Sequence, residues 1–175
     1  MLALWCDEIV SCRSGAMLLN WPGEQGQPHL WGHVQEAALF EAGSVLERRD
    51  LQEAAVRSAD AVFAGPIRSG FELPEVCAYD VQSALLVMDC LAEGTGDPRY
   101  RELGQLARGW FEGRNPAGVP TYDRVSGRVL DGVRGDTVNP DSGAESNVCA
   151  GLALLDDPMV LELARTWEGD GANRS

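Results

Sequence analysis

Residues 77–111 read CAYDVQSALLVMDCLAEGTGDPRYRELGQLARGWF, and their reading decides the fold. The run ALLVMDCLA is apolar over most of a helical circumference, as a helix buried on several sides must be. Gly94-Thr95-Gly96 then breaks the pattern, and Asp97-Pro98 restarts it. Asp97 is an N-cap type, and Pro98 suits the first helical position because its missing N–H is unpaired there anyway. The next segment carries a single stripe, Leu103, Leu106, Ala107, Trp110 and Phe111, at i, i+3, i+4, i+7 and i+8, with charges behind it. An inner helix, a tight turn and an outer helix make an antiparallel α-hairpin.

The same alternation extends in both directions. Upstream, the spacing predicts a helix from about His29 to Arg49. A second follows from Asp50, where Asp50 and Glu53 form a capping-box pattern and Leu51, Ala55, Ala59, Val62 and Phe63 a stripe. Downstream, a helix from about Ser142 to Leu155 carries VCAGLALL, and Asp157-Pro158 opens a short last helix. Residues 2–13 form a short first helix. Inner-to-outer links are short; those leading to the next inner helix, 14–28, 65–76 and 113–141, are long. Every long loop therefore falls at the N-terminal ends of the inner helices, and long structureless connections usually carry function. The expected architecture is all-α: antiparallel α-hairpins, about three in number, in one domain over 1–168, with a flexible tail over 169–175.

Composition narrows the function classes. At 175 residues, with 45% apolar and 23% charged side chains, the chain can bury a core without disulfides or metal. The net charge of −13 argues against nucleic acid, since phosphate binding requires clustered Lys and Arg. All 14 basic residues are Arg. The five cysteines (Cys6, Cys12, Cys77, Cys90 and Cys149) are odd in number and dispersed, which suits a reduced, cytoplasmic protein. The start, MLALWCDEIV, lacks a basic n-region, and no apolar run reaches membrane-spanning length.

Two constellations carry candidate chemistry. On a helix from His29, the residues His29, His33, Glu36 and Phe40 share one face, with a core stripe of Trp31, Val34, Ala38, Ala42 and Val45 opposite. Such a stripe binds a polar ligand, shuttles protons, or is simply a solvated face. The histidine spacing is half of a zinc site, but no third ligand follows, so neither metal nor cofactor is expected. The loop before the last inner helix holds Asn115, Tyr122, Asp123, Asp131, Asp136, Asn139, Asp141 and Glu145. Paired carboxylates are what glycosidic cleavage needs, one as acid and one as base or nucleophile. Glu145 has a structural alternative, a capping box with Ser142. Asp80, beside Tyr79, sits at the start of an apolar helix, and Trp21 and Trp31 are candidates for stacking on sugar rings.

The stretches WFEGRNPAGVPTYDRVSGRVLDGV and VNPDSGAES resemble the last repeats of six-hairpin glycosidase-like proteins, α/α toroids of bacterial glycan processing. The resemblance rests on Trp110, Phe111, Gly113, Asn115, Tyr122, Asp123, Gly127, Asp131-Gly132, Asn139 and Gly143 to Ser146. It covers roughly residues 28–156 and is specific over the last forty or so. It implies about half of an (α/α)6 toroid and a carbohydrate ligand. It also implies a glycoside-hydrolase-like site with Asp123, Asp131 and Glu145 as catalytic carboxylates and His29, His33, Asp80, Asn115, Tyr122 and Asn139 as substrate-binding residues. Where relatives tend to carry other polar residues this chain has Pro140 and Asp141, and Asn147 replaces a usual Thr. Because six hairpins complete such a ring, a homodimer or partner chain is expected to supply the rest. The alternatives are a non-catalytic half-toroid that binds a glycan or partner chain, and a sugar epimerase or isomerase with a histidine base.

Overall fold

The computed structural model describes residues 1–25 and 29–155. Seven α-helices among them dominate the fold: α1 (Leu2–Ser11), α2 (Gln35–Val45), α3 (Arg49–Val62), α4 (Ala64–Arg68), α5 (Ala78–Thr95), α6 (Pro98–Arg108) and α7 (Ala144–Leu154). A 3-10 turn at Gly109–Glu112 extends α6. The expected helix after Asp157 and the tail at 169–175 lie outside the described residues.

The hairpin of residues 77–111 forms as its pattern dictates. α5 is buried along most of its length and packs against α2, α6 and α7. Gly96, in the left-handed conformation, ends it, and the Asp97 side chain accepts the Arg99 N–H at 2.9 Å to start α6. Leu103, Ala107, Trp110 and Phe111 are buried, and the two aromatic rings meet edge to face at 5.2 Å. α2 and α3 make the second hairpin, with Leu51, Ala55, Ala59, Val62 and Phe63 all buried.

α2 and α5 run in the same direction and touch closely. The Cys90 thiol donates to the Ala37 carbonyl at 3.8 Å, and a Cβ on Gly94 would lie 2.1 Å from Cε1 of Phe40. This register sets Gln35 level with about Met88, so roughly ten residues of α5, some 15 Å of helix, extend beyond the start of α2.

The fold is helix-dominated, as expected, and beside the helices it carries small strands that were not expected: β1 (Arg13–Ser14) paired with β2 (Met17–Leu18), and an antiparallel sheet of β3 (Glu75–Cys77), β4 (Gly132–Arg134) and β5 (Thr137–Asn139) in the order β3-β4-β5. Val76 and Val133 turn inward, and Gly135 supplies the positive φ that the β4–β5 turn requires. Three expectations need correction. The helix expected from His29 begins only at Gln35, because Gly32 at φ 76° turns the chain before it. The expected core stripe is largely overturned. Trp31, Val34, Ala38 and Val45 face solvent, Val45 at 76% exposure, and Ala42 alone of the stripe is buried, while His33, Glu36 and Phe40 of the opposite face are buried and His29 is exposed. Burial of Glu36 is offset by its partners: His33 Nδ1 lies 3.1 Å from Glu36 Oε1, and the Ser58 hydroxyl donates to the same oxygen at 2.6 Å, while His33 Nε2 has no hydrogen-bond partner among the described residues. Two expected caps also fail. Asp50 turns to Arg48, whose Nε donates to it at 2.7 Å, and α7 starts after Gly143 without a Ser142 or Glu145 side-chain cap.

Candidate functional site

The overhanging end of α5 creates the site. With α2 stopping short, the loop 29–34 and the segment 73–77 cover the exposed first turns, and a cleft of about 560 Å3 remains between them. Its walls include His29, Trp31, Leu73, Pro74, Glu75, Tyr79 and Asp80. The Leu73-Pro74 wall is braced by Phe71, fully buried at φ 61°, a strained conformation for an aromatic residue that its packing must hold. Trp31 is 59% exposed at the mouth and meets Tyr79 edge to face at 6.3 Å, leaving an aromatic surface open to a ligand.

Asp80 is the buried acid of the cleft. It forms a reciprocal cap with Cys77: the Cys77 N–H donates to Asp80 Oδ2 at 2.8 Å, while the Cys77 thiol sulfur accepts from the Asp80 N–H. Burial pushes the Asp80 carboxyl above the ordinary carboxylate value, against the pull of the Cys77 N–H, His29 and the Trp31 N–H, and Glu75 adds to the rise. Glu75, by contrast, is exposed and receives Arg134 Nη2 at 2.9 Å on both oxygens. The Cys77 thiol is pushed up by burial, against a hydrogen bond from Tyr79, and Asp80, Glu75 and Asp131 add to it; it is therefore a poor nucleophile. The Tyr79 hydroxyl is held well above its usual range by its bond to Cys77, by burial, and by the charges of Cys77, Asp80 and Glu145.

Two of the three long links, 65–76 and 113–141, meet here. β3 and β4 pair Cys77 with Gly132, the Ala78 N–H reaches the Asp131 carbonyl at 3.4 Å, and Asp131 Oδ1 accepts the Gly143 N–H at 2.6 Å at the start of α7. Asp131 thus tethers the N-terminal ends of α5 and α7. Glu145, exposed in the first turn of α7, faces the same end. Asn139 lines an adjoining hollow, and its Oδ1 accepts the Asp141 N–H at 3.0 Å.

The remaining candidates lie apart from the cleft. Asp123 is exposed in a turn, where it accepts from the Val125 N–H at 2.9 Å and from the Ser126 hydroxyl; these bonds, the hydroxyl first, hold its carboxyl below the usual range. Tyr122 is half-buried beside Val129. Asn115 donates to the Trp110 and Val119 carbonyls, both at 2.9 Å, and shapes the loop after α6. His33 is enclosed behind the wall and does not line the cleft. His29 does. Glu75 and Cys77 are the site residues the sequence did not single out; the C-x-x-D spacing at the start of an apolar helix was the available signal. Among the described residues, no cluster of three or more His, Cys, Asp or Glu side chains is arranged to hold a metal ion, and no helix is long and apolar enough to cross a membrane.

Set against known proteins, the chain matches no family model and no curated protein.

Proposed function

We propose that this is a carbohydrate-active, glycoside-hydrolase-like protein, built as half of an α/α toroid, whose sugar site is the cleft at the N-terminal end of α5. One observation carries the assignment. A small-ligand-sized cleft presents an exposed Trp31 beside two carboxyls whose surroundings differ, Asp80 buried and proton-favouring and Glu75 exposed against Arg134. Asp80 is then the general acid. It holds a proton that a leaving-group oxygen can take, and Glu75 is the second carboxylate, acting on water or the anomeric carbon from the other side of the bond. Trp31 and Tyr79 hold a sugar ring by its apolar face, and Asp131 and Glu145 border the same end of the helices. A cytoplasmic setting and a partner or second copy completing the ring belong to the same proposal.

The second reading, a non-catalytic glycan-binding half-toroid, draws support from a different observation. Asp131 and Asp123, two of the carboxylates expected to act, are engaged in holding the α7 start and a turn. One experiment separates the two. The full chain is assayed for turnover on aryl glycosides and for sugar-induced stabilisation, beside Asp80→Asn and Glu75→Gln. Turnover lost in both variants with binding retained supports catalysis; binding without turnover in the unaltered protein supports the second reading. Neither binding nor turnover with any sugar removes both.

A further inference from the structure

The cleft does not end at Glu75. On its far side lies a second hollow of about 480 Å3 over the three-stranded sheet, and Glu75 and Cys77 line both. Strand alternation explains its character. Val76 and Val133 point into the core, so Glu75, Cys77, Gly132, Arg134, Thr137 and Asn139 share the opposite face. Register arranges them in two cross-strand rows, Glu75–Arg134–Thr137 and Cys77–Gly132–Asn139. The centre of the second row is bare, because a Cβ on Gly132 would lie 2.6 Å from the Val76 carbonyl oxygen and 3.1 Å from the Cys77 sulfur. The result is a shallow floor where hydrogen-bonding groups stand beside apolar surface from Val133, Val138 and Pro140. Its charges, Glu75 and Arg134, neutralise each other through their paired contact.

We propose, on the basis of the sugar-site reading above, that the two hollows form one groove for a neutral oligosaccharide of two or more units. One unit lies against Trp31 and Tyr79, and the next lies on the β3–β4–β5 face against Arg134, Thr137 and Asn139. Each hollow falls within the roughly 300–1,000 Å3 of small-ligand sites, so together they exceed what one sugar ring occupies. Mixed donors and acceptors with balanced charge suit hydroxyl groups rather than a phosphate or carboxylate. The linkage between units then crosses at Glu75, next to Asp80.

The test is calorimetric titration of the full chain with glucose, galactose, mannose and N-acetylglucosamine, and with the homo-oligomers of each from two to six units. For the sugar that binds, affinity is expected to rise about tenfold from monomer to trimer, the gain of one or two well-made hydrogen bonds. The Thr137→Val, Asn139→Ala double variant is expected to shrink that ratio; measuring monomer and trimer on the same variant cancels any general effect of the substitutions. Equal affinity for monomer and trimer, or a ratio untouched by the double variant, overturns the groove and leaves the sugar site standing. Absence of binding to every sugar overturns the site and the groove together.

Discussion

The chain's two histidines each sit near a buried carboxylate, and the two pairs have opposite fates. Glu36 is enclosed by His33, at 3.1 Å, and by Ser58, whose oxygen in turn accepts the Leu18 N–H at 2.9 Å. Its partners all belong to the fold, and the network ties β2, α2 and α3 together. Asp80 is held by the Cys77 and Trp31 amides, with His29 close enough for its charge to act, and it lines a cleft. Backbone amides at a helix start anchor a carboxylate and leave the space before it open, whereas a ring of side chains closes around it. The closed arrangement around Glu36 stabilises; the open one at Asp80 is available for chemistry.

The strongest way to break this contrast is Glu36→Ala. Removing one partner of a buried pair strands the other, so a loss of about 3–5 kcal/mol is expected, a fall of about 6–20 °C in melting temperature. A loss below about 1 kcal/mol in urea titration would mean that the network is not holding the wall. Next is Asp80→Asn, expected to cut turnover by about 10²- to 10⁴-fold while leaving the protein as stable as before, or more stable, at pH 7. The sign follows from burial. The folded pKa of Asp80 lies above its ordinary 3.8, so its contribution to stability is full below pH 3.8 and is lost as pH rises through the folded value. The melting difference, unaltered protein minus variant, should therefore fall between pH 3 and pH 7; a flat difference sinks the assignment of a proton-favouring site.

Smaller effects sharpen the comparison at its edges. Trp31→Ala removes an exposed ring, so it should weaken sugar binding about 2- to 13-fold in fluorescence titration, with stability changed by less than about 0.5 kcal/mol. Asp123→Asn should change least. Its lowered pKa contributes stability present above pH 3.8 and lost as pH falls through the folded value, so the difference appears in acid unfolding and disappears in acid strong enough to protonate the folded carboxyl. Sugar binding that drops in Asp123→Asn would return that residue to the site.

Much of this was legible beforehand, and the failures share a cause. Helix type and order were readable because α3, α5 and α6 carry long, periodic apolar patterns, and the meeting of the 65–76 and 113–141 links was expected from link lengths alone. The short strands were missed although Val133-Arg134-Gly135-Asp136-Thr137-Val138 alternates around a two-residue turn, a hairpin signal that the surrounding Gly and Asp obscured. The His29–His33 stripe misled because periodicity presumes a helix, and Gly32 ends that presumption. Once the helix starts at Gln35, polarity no longer tells inside from outside, since His33, Glu36 and Ser58 bond to one another in the interior. Cys77 and Asp80 were within reach of a local pattern, but Glu75 and Cys77 meet Arg134 and Gly132 only through the pairing of β3 with β4, a contact about 55 residues apart in sequence that no local pattern announces.

The glycine pressed against Phe40 reaches further than its neighbourhood. A larger residue at position 94 would displace the Phe40 ring or spread α2 and α5, and any slide of α2 would carry Trp31 along with the stretch of chain leading into that helix. Gly94 lies about 21 Å along the helix from Asp80, and its close contact with Phe40 is one of those that seat α2 on the far half of α5. The mouth of the cleft thus depends in part on packing at the opposite end of the helix pair, where a glycine leaves room for a ring.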